Sequence, residues 1–396
     1  MVKLQNIPKI SLQSYNSNLT FHSVAAKRMK KVMVELFNVE GSTFNLQLTP
    51  LFSYYICPMI TDLRSDTFTK PSAAMLEAMF TAQVGDDVFG EDPSINKLES
   101  MAAELFGMEA AVFCPSGTMT NQIAIKCHTQ PGDEVICDKL SHVYIYEGGG
   151  IAFNSGCQVK AIEGDRGRIT ATNVLEAINP NDLHKARTAL VSLENTANRG
   201  GGSCYEFNEI TRIREICLQN KLKLHLDGAR LWNALVAKKE TPQQYGEVFD
   251  SISVCLSKGL GTPVGSLLLG KTDFIQKARR VRKVFGGGMR QAGYLAAAGI
   301  YALENNVNRL VEDHQHAKQI AEALIKKDFV GKIMPVETNI LLFELRSPFT
   351  AKSFETELAR LDILTIAISA TQVRMVTHLD ISKEMVQNLI SVIKAL

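Results

Sequence analysis

Neither sign of charge dominates this sequence. Its 43 lysines and arginines against 41 aspartates and glutamates leave a formal net charge of +2. The basic residues are dispersed, so nothing electrostatic points to a nucleic acid or an acidic membrane as partner. No uninterrupted apolar run reaches the roughly 20 residues that a spanning helix needs, and the apolar stretch of a secretory leader is missing. The eight cysteines, Cys57, Cys114, Cys127, Cys137, Cys157, Cys204, Cys217 and Cys255, form no C-x-x-C pair and no Cys/His cluster at zinc-ligand spacing. They read as buried, reduced thiols of a reducing compartment, and no metal site is expected. Neither G-x-G-x-x-G nor G-x-x-x-x-G-K-[ST] occurs, which sets a nucleotide-binding loop aside. There is no internal repeat and no low-complexity tract.

What is present is a chain of 396 residues, 45% hydrophobic and 21% charged, the make-up of a soluble globular protein large enough for two domains. A small substrate is the expected partner. Residues 1–60 differ from the rest: Lys3, Lys9, Lys27, Arg28, Lys30 and Lys31 face only Glu35 and Glu40, Ser and Asn are frequent, and no helical period shows. They read as an irregular or disordered extension, with a mitochondrial targeting segment as the alternative to a cytoplasmic protein. From Asp62 onward short β-branched runs alternate with helical stretches, the pattern of βαβ units around a mainly parallel sheet. Strands are predicted at Ala111–Cys114, Glu134–Cys137, Ala189–Leu193, Leu222–Leu226 and Ile252–Leu256, and a helix over Glu206–Asn220, where Phe207, Ile210, Ile213, Ile216 and Cys217 recur at three- and four-residue steps. A helix or helix pair spans about residues 291–327. Beyond it the strand-like Asn339–Leu345 and Gln372–Val376, with helices over Ala351–Leu361 and Ser382–Ala395, make a small α+β unit. The expected division is the extension 1–60, a large domain 61–310 and a small C-terminal domain 311–396.

Ligands of an open parallel sheet collect at the carboxyl ends of its strands, so the residues that follow each apolar run carry the information. After the first comes Pro115-Ser116-Gly117-Thr118 and then a helix, which offers free N–H groups and two hydroxyls to a phosphate; an ordinary capped turn has the same appearance. After the fourth comes Asp227-Gly228-Ala229-Arg230. One reading is an ion pair, the other an aspartate that keeps a pyridinium nitrogen protonated, as pyridoxal phosphate chemistry requires. His225, two residues earlier on the same strand face, could orient that carboxylate or be an ordinary buried histidine. After the fifth comes Ser257-Lys258-Gly259-Leu260-Gly261, where desolvation would make Lys258 a usable amine nucleophile; alone it also reads as a snorkelling surface lysine. Cradle, aspartate and lysine in this order support one another.

With these residues assembled, the chain resembles the low-specificity L-threonine aldolases among the aspartate-aminotransferase-like, fold type I enzymes, over nearly all of residues 62–396. The stretches that carry the resemblance are Asp62-Leu-Arg-Ser-Asp-Thr67, Val84-Gly-Asp-Asp-Val-Phe-Gly90, Ser116-Gly-Thr118, Ser141-His142, Leu193-Glu-Asn-Thr196, His225-Leu-Asp-Gly-Ala-Arg230, Leu256-Ser-Lys-Gly-Leu-Gly-Thr-Pro-Val-Gly265, Gly286-Gly-Gly-Met-Arg-Gln291 and Val373-Arg-Met-Val-Thr-His-Leu-Asp380. The resemblance implies an α/β fold with a mainly parallel central sheet and a smaller C-terminal α+β domain. It implies pyridoxal 5'-phosphate held by Lys258 as a Schiff base, paired through its ring nitrogen with Asp227 and stacked by His142, with Ser116, Gly117 and Thr118 on the phosphate. Arg230 and Arg290 join the cofactor set, Arg290 from an element near the subunit boundary. Ser65, Arg230 and Arg374 would hold the substrate carboxylate. A homotetramer built as a dimer of dimers, and cleavage of L-threonine or L-allo-threonine to glycine and acetaldehyde, complete the expectation. The alternatives are another pyridoxal-phosphate lyase or aminotransferase reaction, or a pseudoenzyme. One departure stands out: where the family reads Glu-Asn-Thr-His-Asn, this chain has Glu194-Asn-Thr-Ala197-Asn198, so the histidine that would meet the substrate hydroxyl is absent, and His142 or a water near Glu147 is left as base.

Overall fold

A computed structural model describes residues 60–396, so the expected extension over residues 1–60 lies outside the described residues except for Ile60. Counting strands along the chain, β1 (Thr61–Asp62) stands apart from a seven-stranded sheet made of β2 (Ala110–Cys114), β3 (Glu134–Asp138), β4 (Gln158–Ile162), β5 (Thr188–Glu194), β6 (Lys223–Gly228), β7 (Ser251–Cys255) and β8 (Ser266–Gly270). Their order across the sheet is β2-β8-β7-β6-β5-β3-β4. The neighbours from β4 to β7 run parallel, as the alternation of strand and helix demands. The exception is β8, antiparallel to both β7 and β2. Only the segment 256–265 separates it from β7, and a parallel return needs about a dozen residues or more. All five strands read from the sequence are present within two residues at either end; β4 and β8 were not read. Every residue of β3, β5, β7 and β8 is buried, which is why these strands are apolar throughout rather than alternating.

The helix predicted over Glu206–Asn220 runs Phe207–Gln219 and buries Ile210, Ile213 and Cys217. The long stretch after residue 291 is a helix pair, Gly293–Asn305 and Leu310–Leu324. Beyond it, β9 (Val330–Ile333), β10 (Ile340–Leu345), β12 (Ile366–Ala367) and β13 (Gln372–Val376) form an antiparallel sheet in the order β12-β13-β10-β9. Its own apolar cluster gathers Leu63, Phe343, Phe354, Val373, Met375 and Leu389. The start of the described residues joins here: β1 pairs in parallel with β11 (Ile363–Leu364), and Leu63 bonds Leu364 and Val376 through its backbone at 2.8 Å each. Among the described residues no helix is long and apolar enough to cross a membrane. The seven described cysteines are free and buried, and burial pushes thiols such as Cys114 up to about 12.

Candidate active site

The helix Gly117–His128 starts where β2 ends. Ser116 caps it, its Oγ accepting from Met119 N at 3.2 Å, while Ser116 and Thr118 stay exposed beside the helix's first N–H groups. Gly117 is required by a close approach: a Cβ here would stand 2.5 Å from Cys255 Sγ at the end of β7. The cradle is thereby pressed against the strand that leads to Lys258. That lysine is half-buried, and among the described residues no hydrogen bond or ion pair engages its amine. Its carbonyl accepts from Gly261 N at 2.8 Å, closing a turn in which Gly261 has φ +81°, a conformation that favours glycine.

Asp227, at the end of β6, is buried. Its Oδ1 accepts from Ala229 N at 3.1 Å, and its Oδ2 is buried with no partner among the described residues. His142 follows β3; its Nδ1 lies 2.9 Å from Glu147 Oε1 and its backbone N–H donates to Glu194 Oε2 at 2.7 Å. One polar atom each from His142, Glu147 and Asp227 lies within 4.8 Å of the others. Burial pulls the His142 imidazole down, but the Glu147 hydrogen bond and the charges of Asp227 and Glu147 outweigh it and hold it above the usual histidine range. Among the described residues Glu194, on β5 and opposite Asp227 in register, receives only the N–H groups of His142 and Asn198. Burial and then the charge of Asp227 push its carboxyl up to about 7.

The arginines divide. Arg230 does not pair with Asp227: it donates from Nε and Nη2 to the two oxygens of Asp66, both at 2.7 Å. Burial alone would raise Asp66, yet the Arg230 charge and hydrogen bonds, with the Lys258 charge, bring it to about 2. Arg374, on β13, donates from Nη1 to Asn198 Oδ1 at 3.0 Å and from Nη2 to the Arg64 carbonyl at 3.1 Å, and its Nε is buried without a partner among the described residues. Burial, then the charge of Arg230, hold Arg374 below the usual arginine range. Ser65 is buried, and its Oγ accepts from Thr67 N and Thr67 Oγ1 at 3.3 and 2.9 Å. Arg290 is exposed and paired with Asp86 at 2.8 Å.

His225 and Ala197 are both buried. His225 makes no hydrogen bond to Asp227; its ring bonds Ser251 and Asn121 instead. Ala197 is buried in a turn closed by Ala197 N to Ser203 O and Gly202 N to Ala197 O, and a Cβ on Gly167 would stand 2.8 Å from its methyl. A larger side chain at 197 therefore meets the turn around Gly167. Asp66, Asn121, Gln122 and Asn198 were not singled out from the sequence. For Asn121 and Gln122 a signal existed: two amides directly after the cradle, in the first turns of a helix that must lie on the sheet.

The family model described as "Beta-eliminating lyase" matches residues 62–347. The "Low specificity L-threonine aldolase" of Escherichia coli K12 is 46% identical over 325 residues, 82% of this chain and 95% of that protein. The "Probable low-specificity L-threonine aldolase 2" of Arabidopsis thaliana is 41% identical over 83% of this chain and 95% of its own length. Among solved structures, the threonine aldolase of Leishmania major superposes with a TM-score of 0.74 at 21% identity, over 85% of this chain and 99% of its own, a likeness of fold.

Proposed function

The chain belongs to the beta-eliminating lyase family, in its threonine-aldolase branch, and from that premise we propose that the strand-end constellation around Lys258 is its catalytic centre. It is a carbon–carbon lyase that cleaves threonine to glycine and acetaldehyde, and the low specificity of its relatives extends the proposal to L-allo-threonine.

The residues fit pyridoxal 5'-phosphate. The observation that carries the reading is Asp227 Oδ2, a buried carboxylate oxygen with no partner among the described residues, which costs free energy unless a donor such as a protonated ring nitrogen meets it. Lys258 would hold the cofactor covalently, Ser116, Gly117 and Thr118 would take its phosphate at the helix N-terminus, and His142 would lie against the ring. When bound, the cofactor supplies a sink for the electron pair left at Cα as the Cα–Cβ bond breaks. The rest falls to the chain. Arg374, its Nε unengaged, takes the substrate carboxylate beside Ser65, while the fork of Arg230 is filled by Asp66, so Arg230 supports the site through that ion pair. His142 receives the β-hydroxyl proton as the Cα–Cβ bond opens and acetaldehyde leaves; a proton returned to Cα completes glycine. Ala197 leaves the hydroxyl without the second imidazole, which bears on the preference between threonine and allo-threonine.

The assembly belongs to the same proposal. Phe80, Phe89 and Val284 are 84%, 73% and 82% exposed, apolar surface that supports burial in a homotetramer, and Arg290 among exposed residues suits a contribution across a subunit boundary. The purified enzyme is expected to show the visible absorption band of a lysine-bound cofactor and to release acetaldehyde from threonine. Lys258→Ala loses both; a Lys258→Ala variant that keeps the band overturns the assignment.

A further inference from the structure

The helix Gly117–His128 places Asn121, Gln122 and His128 where it meets the sheet, a position that apolar side chains ordinarily fill. They belong to a continuous hydrogen-bonded array. His128 Nε2 is 2.8 Å from Ser251 Oγ, Ser251 Oγ is 2.8 Å from His225 Nδ1, and His225 Nε2 is 3.1 Å from Asn121 Oδ1. Asn121 Nδ2 donates to Glu147 Oε1 at 2.9 Å. A second arm runs from Asn154 Nδ2 to Gln122 Oε1 at 3.2 Å and from Gln122 Nε2 to Glu147 Oε2 at 2.6 Å. Gly150 makes room for it, since a Cβ there would stand 2.5 Å from Gln122 Cδ. Both arms end on Glu147, and the remaining contact of that carboxylate is His142 Nδ1 at 2.9 Å.

The protons of this array can be placed by elimination. A carboxylate only accepts, so Asn121 and Gln122 turn their NH2 groups to Glu147 and their oxygens outward. His225 Nε2 must then donate to Asn121 Oδ1. Burial brings His225 down to about 4 and His128 to about 3, so at neutral pH each ring carries one proton. His225 Nδ1 is therefore an acceptor, Ser251 donates to it, and His128 Nε2 donates to Ser251. Every donor points toward Glu147, and none of the others can accept a proton from it. An amide does not pass a proton along, so the array conducts nothing; what it fixes is direction.

We propose that this array locks His142 as the Nδ1–H tautomer, leaving His142 Nε2 as the free lone pair that accepts the substrate's β-hydroxyl proton, with Glu147, Asn121 and His225 as its positioning residues. The tautomer stands on the geometry alone; the role of Nε2 rests on the aldolase reading. The other groups facing His142 are Asp227 from β6, Glu194 from β5 at the backbone, Lys258 beyond β7, and the Tyr146 ring at 5.6 Å between centroids. None of these is bonded to Nδ1, so the tautomer is set by Glu147.

The test uses the purified full-length enzyme labelled with ring-15N histidine, with His142 assigned by its loss in His142→Gln. Above its titration, Nδ1 is expected to give the protonated signal and Nε2 the unprotonated one. The reverse pattern, or equal populations, overturns the proposal even if the cofactor band and acetaldehyde release are intact, and absence of aldol cleavage would overturn the aldolase reading without touching the tautomer. Two variants add readouts that packing alone would not move. Glu147→Gln should lower the acid limb of kcat/KM by about one to three pH units through loss of the neighbouring charge. Asn121→Ala, which leaves Glu147 one donor fewer and so pulls harder on His142, should raise it. Acid limbs unmoved in both, with only kcat reduced, would reduce the array to structural polarity and sink the proposal.

Discussion

Asp66 and Glu194 are both buried carboxylates whose charges act on Arg230, and they are treated in opposite ways. Asp66 meets a two-pronged arginine and the Asn339 amide and is held at about 2. Glu194 receives two backbone N–H groups, has no cation bonded to it, faces a second carboxylate at Asp227, and is pushed up to about 7. The contrast separates scaffold from chemistry. At Asp66 the charge is fully matched and the corner is closed. Around Glu194, Asp227 and His142 acceptor capacity is left over, and unmatched acceptors are what a cationic ring or a proton in transit needs.

The largest effect should come from opening the closed corner. Arg230→Leu strands a buried carboxylate and is expected to destabilise the fold by about 3–5 kcal/mol, read from denaturant unfolding; a loss below about 1 kcal/mol would mean that Asp66 finds water or another partner, and the contrast would break. Next is Ala197→His in the open corner. Its ring must press on the turn at Gly167, an overpacking that costs about 1–3 kcal/mol, and threonine and allo-threonine rates measured side by side should change in ratio. Unchanged selectivity would remove Ala197 from substrate choice. The smallest effect is a slope. Because Glu194 is raised in the fold, its contribution is present below the unfolded value of 4.5 and lost as pH rises through about 7. Asp66 is lowered, so its contribution is present above 3.8 and lost as pH falls through about 2. Melting temperatures followed between pH 4.5 and 7 should decline less in Glu194→Gln than in wild type, by a few degrees; parallel declines would show that Glu194 ionises as freely in the fold as out of it.

Strand ends were the legible part of this molecule. Ser116, Asp227 and Lys258 each follow a short apolar run, and periodicity locates such runs without knowing what they pair with. The edge strand β4 escaped because it is half-exposed and carries Gln158 and Lys160, and β8 because its direction follows from a short connection rather than from its own residues. Partnerships across the chain were not legible. Arg230 finds Asp66 at a separation of 164 residues, and its nearer neighbour Asp227 was the obvious but unrealised choice. His225 was readable as buried, yet its partners Asn121 and Ser251 come from a helix and a neighbouring strand that only the assembled sheet brings together. Ala197 was visible as a departure from the family's motif, while the turn that encloses it was not.

The pairing of β1 with β11 sets an order of events during synthesis. Leu63 takes its backbone partners from Leu364 and Val376, and Asp66 receives the Asn339 amide, so the residues that open the described chain wait for nearly all of it to leave the ribosome. Until then β1 has no strand to pair with, and the carbonyl of Arg64 has no Arg374 to donate to it. The corner proposed to take the substrate carboxylate is thus completed late, and a nascent chain stalled short of β13 would carry Lys258 and its strand ends without Arg374.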